Sequence, residues 1–296
     1  DSQFVASSVR STSFQKTSTD EAILRDTTLD YRVLNFATST FNENNTSYWH
    51  KSIGGYHAAK LRRYQELIDR HIAPEMQDLY REMARTGGDL SQADPAKFRV
   101  LNMLNTRYFI FPGGENGQTV PLQNPHASGN AWFVDDVLYV DNANAEIDAL
   151  DSIHPARTAV VDRRFRDILH GATQTPHDSL ASIRLTEYAP NRLVYTTDNA
   201  ADGVAVFSEI YYPDGWQTTI DGQPASLARA DYVLRALHIP AGRHTIEMRF
   251  DPTSLHVTEG IAYTAAVLIL LGLVAALLLA WRNARKADNA PTAPQA

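Results

Sequence analysis

The chain has 296 residues, a formal net charge of -7 and no cysteine, with 44% apolar and 21% charged residues. That composition is globular rather than disordered, and the acidic balance excludes non-specific nucleic-acid binding. Without thiols there are no disulfide frameworks, no thiolate metal sites and no Cys nucleophile.

In chain order, DSQFVASSVRSTSFQK (1–16) has no apolar core and no cleavage motif, so it does not read as a signal peptide. Thr19 is the expected N-cap of a helix over DEAILRD, with Asp20 and Glu21 suited to its first turn. YRVLNF (31–36) reads as a buried strand. After the Gly54-Gly55 turn a helix is expected from about His57 to about His71, with Leu61, Tyr64, Ile68 and Ile72 on its buried face. Pro74 suits the first turn of a second helix, PEMQDLYREMAR, which Gly87-Gly88 ends. Asp94 caps a third, PAKFRVLNMLN, which leads into the strand RYFIF (107–111). PGGENG (112–117) is a loop, AWFVDDVLYV (131–140) a strand, AEIDAL (145–150) a short helix and TAVVD (158–162) a further strand. HGATQTPHDS (170–179) reads as a linker.

From Ala181 the rhythm changes to short β-type runs separated by Pro190-Asn191, Asp202-Gly203, Pro213-Asp214-Gly215, Asp221-Gly222 and Ala241-Gly242. Such spacing indicates an antiparallel sandwich or barrel. IAYTAAVLILLGLVAALLLAW (261–281) then carries no charge and is long enough to cross a hydrocarbon core of ~30 Å. Arg282, Arg285 and Lys286 follow, which by the positive-inside bias makes that end cytoplasmic and the preceding region extracytoplasmic. The tail ADNAPTAPQA (287–296) reads as disordered. An outside region without its own leader is expected to be delivered by upstream segments of a longer membrane protein. The expected architecture is α+β: an α/β domain over 1–180, a β-sandwich over 181–254, a transmembrane helix over 255–282 and a cytoplasmic tail over 283–296.

The stretch SYWHKSIGGYHAAKLRRY (47–64) concentrates two histidines, four Lys/Arg and four aromatics in an acidic chain. Catalysis by His50 and His57 with Ser47 or Ser52 has no HExxH or GxSxG pattern behind it, and local hydrogen bonding is the plainer reading. Anion binding fits better. Gly54 and Gly55 admit a close backbone approach, a helix N-terminus follows, and Lys51, Tyr56, His57, Lys60 and Arg63 surround the turn. The competing reading is a solvated charged face, to which the alternating Arg62, Glu66 and Arg70 belong. In EIYYPDGWQTTIDG (209–222), Tyr211 reads as core, while Trp216 beside its turn is suited to stacking on a sugar. Asp135, Asp136, Glu209 and Asp214 offer carboxylates for glycoside hydrolysis, but spacing alone sets no separation between them.

SYWHKSIGGYHAAKLRRYQELID, LNMLNTRYFIF, NPHASGNAWFVD, FSEIYYPDGWQTTIDG and YVLRALHIPAGRHTIEMRFDP occur in this order. The set resembles the C-terminal extracytoplasmic region of the YfhO family of bacterial membrane proteins, with its last membrane helix. The resemblance implies a polytopic protein of the bacterial inner membrane similar to the GT-C glycosyltransferases. Such enzymes move a sugar from a polyprenyl-phosphate carrier to a cell-envelope glycan or lipid acceptor. It implies that the assisting acid lies in a loop between early membrane helices, so the catalytic residue is unknown here and this chain alone is expected to be inactive. The implied partners are the bilayer, the lipid-linked sugar, the acceptor and the upstream transmembrane helices, with no nucleic acid. No cofactor is called for, although a divalent ion is compatible with the full-length enzyme. The alternative is a non-enzymatic, membrane-anchored envelope module that binds glycan or a partner protein.

Overall fold

A computed structural model describes residues 14–113, 117–176 and 178–288. The first helix, α1 (Ser18–Ile23), is capped by Thr17, two residues earlier than expected. Thr17 and Asp20 form a reciprocal capping box, whereas Thr19 is buried and bonds to the Thr119 hydroxyl and carbonyl at 2.7 Å. The strands β1 (Arg32–Asn35), β2 (Lys51–Ser52), β3 (Thr106–Pro112) and β4 (Thr119–Gln123) make a four-stranded sheet ordered β2-β1-β3-β4. Its β1 runs parallel to both neighbours. A short helix, α2 (Asn45–Trp49), precedes β2.

The expected pair of helices after the glycine turn is one continuous helical stretch that starts later. It runs through α3 (Arg62–Leu67), a π-helical turn over Ile68–Ile72 and α4 (Ala73–Thr86). Residues 56–61 lie outside it because the His57 imidazole accepts the Ala59 amide at 3.0 Å, a local turn that competes with helix. Pro74 has no amide to offer the ladder and its ring would press on a carbonyl one turn back. The widened turn immediately before it absorbs that conflict, so the helix continues where a break was expected. Ile68 and Ile72 are buried as the periodicity requires, but Leu61, ahead of the helix, is 41% exposed. Gly87 ends α4 in the left-handed conformation, as expected. Asp94 accepts the Ala96 amide as a cap should, but the turn it starts is a 3-10 turn over Pro95–Lys97 that breaks at Phe98 (φ -145°), so PAKFRVLNMLN is not one helix. The helix α5 (Arg99–Met103) then leads into β3.

AWFVDDVLYV is not one strand. It divides into β5 (Ala131–Val134) and β6 (Asp136–Val140), which lie at opposite edges of a six-stranded sheet. Asp135 stands at the break, with its amide and that of Asp136 both given to the Arg157 carbonyl. A helix, α6 (Ala143–Ala149), separates β6 from β7 (Thr158–Asp162). With β10 (Gly203–Ile210), β13 (Ala228–Ala230) and β14 (Leu234–Ile239), the sheet order is β5-β10-β14-β13-β7-β6. Strands from both sides of residue 181 therefore share one sheet. The stretch expected as a linker is tied in as well: Gln174 bridges Asp136, and Val137 donates to the Thr173 carbonyl at 3.0 Å. His177, and residues 114–116 of the PGGENG loop, lie outside the described residues.

A five-stranded antiparallel sheet completes the mixed α+β fold. It comprises β8 (Ser182–Ala189), β9 (Arg192–Asn199), β11 (Trp216–Ile220), β12 (Gln223–Ala225) and β15 (Gly242–Phe250), ordered β12-β11-β15-β9-β8. Tyr195 of β9 packs edge-on against Phe207 of β10 at 4.9 Å, so the two larger sheets face each other as in a sandwich. Leu34, Ile53, Leu101, Phe109, Val206 and Leu234 belong to one continuous core.

The chain divides into two compact units, one running to Tyr212 and resuming over Gln217–Arg249, the other joining Pro213–Trp216 to the chain from Phe250 onward. The second unit contains α7 (Thr253–Asp288), whose Thr253–Asn283 portion includes an 18-residue window of mean hydropathy 2.6 and is long and apolar enough to span a bilayer. At its base the Asp251 amide donates to the Gly215 carbonyl at 2.7 Å. Most of the ADNAPTAPQA tail and of the first sixteen residues lies outside the described residues.

Candidate functional site

Six of the eight residues singled out from the sequence come together. Lys51, Gly54, Gly55, Tyr56, His57 and Lys60 line a groove of about 440 Å³, together with Arg32, Glu209 and Ile210. Two strands and the turn that follows β2 position them, because β1 holds Lys51 and Ser52 in parallel register with Arg32 and Val33.

The glycine turn does not offer its amides to a ligand. Gly54 N–H donates to Ser52 Oγ at 3.0 Å, Gly55 N–H to the Thr40 carbonyl at 2.7 Å and Tyr56 N–H to the Glu43 carbonyl at 3.1 Å. Glycine is required at 54 for packing: a Cβ there would lie 2.0 Å from the Thr40 carbonyl oxygen. Gly55 takes φ +100°, which side-chain-bearing residues rarely adopt. Recognition in the groove therefore falls to side chains. Lys60 sits at the rim, its ammonium 5.6 Å from the Phe41 ring centroid and without a carboxylate partner among the described residues. Tyr56 is 61% exposed beside it. Tyr64 closes one wall, its hydroxyl donating to the Ile53 carbonyl at 2.8 Å.

Beneath the rim is a charged centre that sequence reading did not assemble. Lys51 Nζ donates to both oxygens of Asp30, at 2.7 and 2.8 Å, and to Glu209 Oε1 at 2.8 Å. Its ammonium also lies 5.3 Å from the Tyr188 ring centroid. Asp30 adopts φ +50°, and Glu209 stands at the irregularity where β10 and β14 lose register between Phe207 and Ile210. Arg32 pins this place from below, donating to the Leu104 carbonyl at 2.7 Å and the Ser208 carbonyl at 2.6 Å. Burial and the adjoining Glu209 carboxylate raise the Asp30 carboxyl to about 6. Burial also acts upward on Glu209, but Lys51 and Arg32 outweigh it and hold that carboxyl low. The pair behaves as one unit with an elevated proton affinity.

The other two residues lie elsewhere. Arg63 turns away from the groove residues to Glu146, at 3.1 Å, and to the Tyr232 carbonyl at 3.4 Å. Trp216 packs against Phe250 at 5.4 Å in the unit that holds α7. Of the remaining candidates, His50 is buried against Asp20 at 2.8 Å, a structural bond. Tyr211 packs on Phe165 in the core. Arg62 pairs with Glu66 as expected, while Arg70 reaches Asp148 instead of extending that ladder. Among the described residues no group of three or more acidic or histidine side chains is arranged to hold a metal.

Residues 171–262 match the family model described as Bacterial membrane protein YfhO. The resemblance read from the motifs is thereby shown over this stretch. The YfhO match spans β8 to β15 and enters α7, so it includes Glu209 and Trp216, while Lys51 and Lys60 precede it. Together with the long apolar helix it supports a membrane-associated protein. No curated protein and no solved structure matches the chain.

Proposed function

We propose that this chain is the extracytoplasmic part of a YfhO-type membrane glycosyltransferase, and that its groove binds an anionic group of the carrier-linked sugar or of the acceptor. The observation that carries the reading is Lys60: an ammonium on a concave surface, beside His57 and Lys51, with no carboxylate partner among the described residues. A phosphate or carboxylate entering there gains a charge-assisted contact without displacing an existing ion pair. The catalytic acid is assigned to an upstream loop of the full-length protein, so the groove holds substrate and does not itself supply the acid. The α7 helix anchors the region in the bacterial inner membrane, with its basic end cytoplasmic.

The test is transfer from a labelled polyprenyl-phosphate sugar by the full-length protein in membranes, wild type against Lys60→Ala. Loss of transfer at normal expression places the groove on the substrate path. Undiminished transfer sinks the assignment of the groove, and absence of transfer in the wild type favours a non-enzymatic envelope module.

A further inference from the structure

Lys51 projects into the same groove as Lys60, yet two carboxylates from distant parts of the chain hold its ammonium. We propose that the Asp30–Lys51–Glu209 cluster is a proton-coupled anion gate, in which the carboxyl pair takes one proton from solvent as an anion enters the groove and so releases Lys51 to bind it. The inference rests on the anion-binding reading of the groove.

The argument starts from charge. Arg32 on β1, Lys51 on β2 and Arg235 on β14 face Asp30 and Glu209, giving three cations against two carboxylates. With both carboxyls ionised, Lys51 makes three short hydrogen bonds to them, and an ammonium has only three protons to give. A ligand oxygen therefore meets a lysine whose donors are spent. Protonating one carboxyl removes a negative charge from the cluster and frees a donor of Lys51, a side chain that lines the groove. The remaining groups around the pair are Tyr188 on β8 and Tyr195 on β9. Tyr195 is fully buried, its charged neighbours are Glu209, Asp30, Arg235 and Arg32, and its hydroxyl has no hydrogen-bond partner among the described residues. The pair therefore has beside it an uncommitted hydroxyl able to meet a changed protonation pattern. The Asp30 carboxyl, raised to about 6 by burial and by Glu209, puts the proton within reach near neutral pH. His57 and Lys60 complete the rim, so His57 is the residue whose replacement serves as the control.

The linkage fixes the direction. An anion that favours the protonated pair is bound more tightly as pH falls, and each binding event takes up a proton. The experiment is calorimetric titration of the full chain, in detergent, with sulfate, which does not itself titrate near neutrality. Running it in buffers of different ionisation enthalpy counts protons directly. Wild type is expected to take up about one proton per sulfate near neutral pH and to bind about tenfold more tightly at about pH 5.5 than at about pH 8. Asp30→Asn, which keeps a residue tolerant of the left-handed backbone at position 30, is expected to bind with no proton uptake and little pH dependence. Glu209→Gln serves if that variant does not fold, and His57→Gln is expected to retain the uptake. Sulfate binding without proton uptake, or uptake that persists in Asp30→Asn and is lost in His57→Gln, overturns the gate and leaves the anion site standing. Failure of sulfate to bind at either pH overturns both.

Discussion

The Arg63 guanidinium lies 4.4 Å from the ring centroid of Tyr232 and shares the fully buried Glu146 carboxylate with Arg229, at 3.1 and 2.9 Å. Two arginines on one carboxylate in the interior are a structural clamp. Removing Arg63 takes away one charged hydrogen bond and the contact with Tyr232, while Arg229 stays on the carboxylate and still compensates it. Arg63→Ala is therefore expected to lower stability by about 2 kcal/mol in chemical denaturation while leaving sulfate affinity near wild type.

Lys60 should show the opposite behaviour. Its ammonium meets the Phe41 ring and no carboxylate among the described residues, so Lys60→Ala is expected to shift the melting temperature by no more than about 2 °C. Sulfate affinity is expected to fall about fivefold to tenfold, the worth of one charge-assisted contact, read by the same calorimetry. Equal affinity in the two proteins would remove Lys60 from the site.

A pH effect on stability is expected from Asp231. This residue is wholly buried with φ +48°; Oδ1 accepts the Val160 amide at 2.8 Å and Oδ2 has no hydrogen-bond partner among the described residues. Burial, opposed only in part by the Val160 amide, raises its carboxyl to about 8. The folded chain thus holds a proton that the unfolded chain has released, and stability falls as pH rises from about 4 to about 8, then levels off. Asp231→Asn should remove that slope and be more stable than wild type by at least ~1 kcal/mol at pH 8. Denaturant midpoints of the two proteins across this range decide the matter, and parallel curves would refute it.

Gly54→Ala tests the claim that the glycine turn is there for packing. The new Cβ meets a backbone oxygen of Thr40, which cannot rotate away, so a loss of about 3 kcal/mol is expected. A stable Gly54→Ala protein with weakened sulfate binding would instead return the turn to a direct ligand role.

Local signals carried much of the fold. YRVLNF, RYFIF and TAVVD are strands because each is a short apolar run bounded by turn residues, and Gly87 and Asp94 act where their chemistry predicts. What local pattern could not supply was pairing over distance. Nothing in AWFVDDVLYV shows that its halves go to opposite edges of a sheet, since that outcome depends on strands some seventy residues later. The same limit governs the site. Lys51, Lys60 and the glycine turn lie within ten residues and were legible as a group, although the ring nitrogen of His57 delayed the helix and removed Arg63 from their company. Asp30 and Glu209 meet Lys51 across 21 and 158 residues, a proximity that the spacing of neither one encodes.

The shared sheet bears on what is inherited together. Residues 171–262 supply β10 and β13, but their neighbours β5 and β7 come from earlier in the chain. Excised at those limits, the piece would show water the bare backbone margins of two strands, an invitation to self-association. Val206 lies opposite Trp132, and Phe207 opposite Ala131, so a change in size at one member of such a pair must be met by its counterpart more than seventy positions away. The segment by which this protein is recognised is thus smaller than the piece of chain that must fold as one.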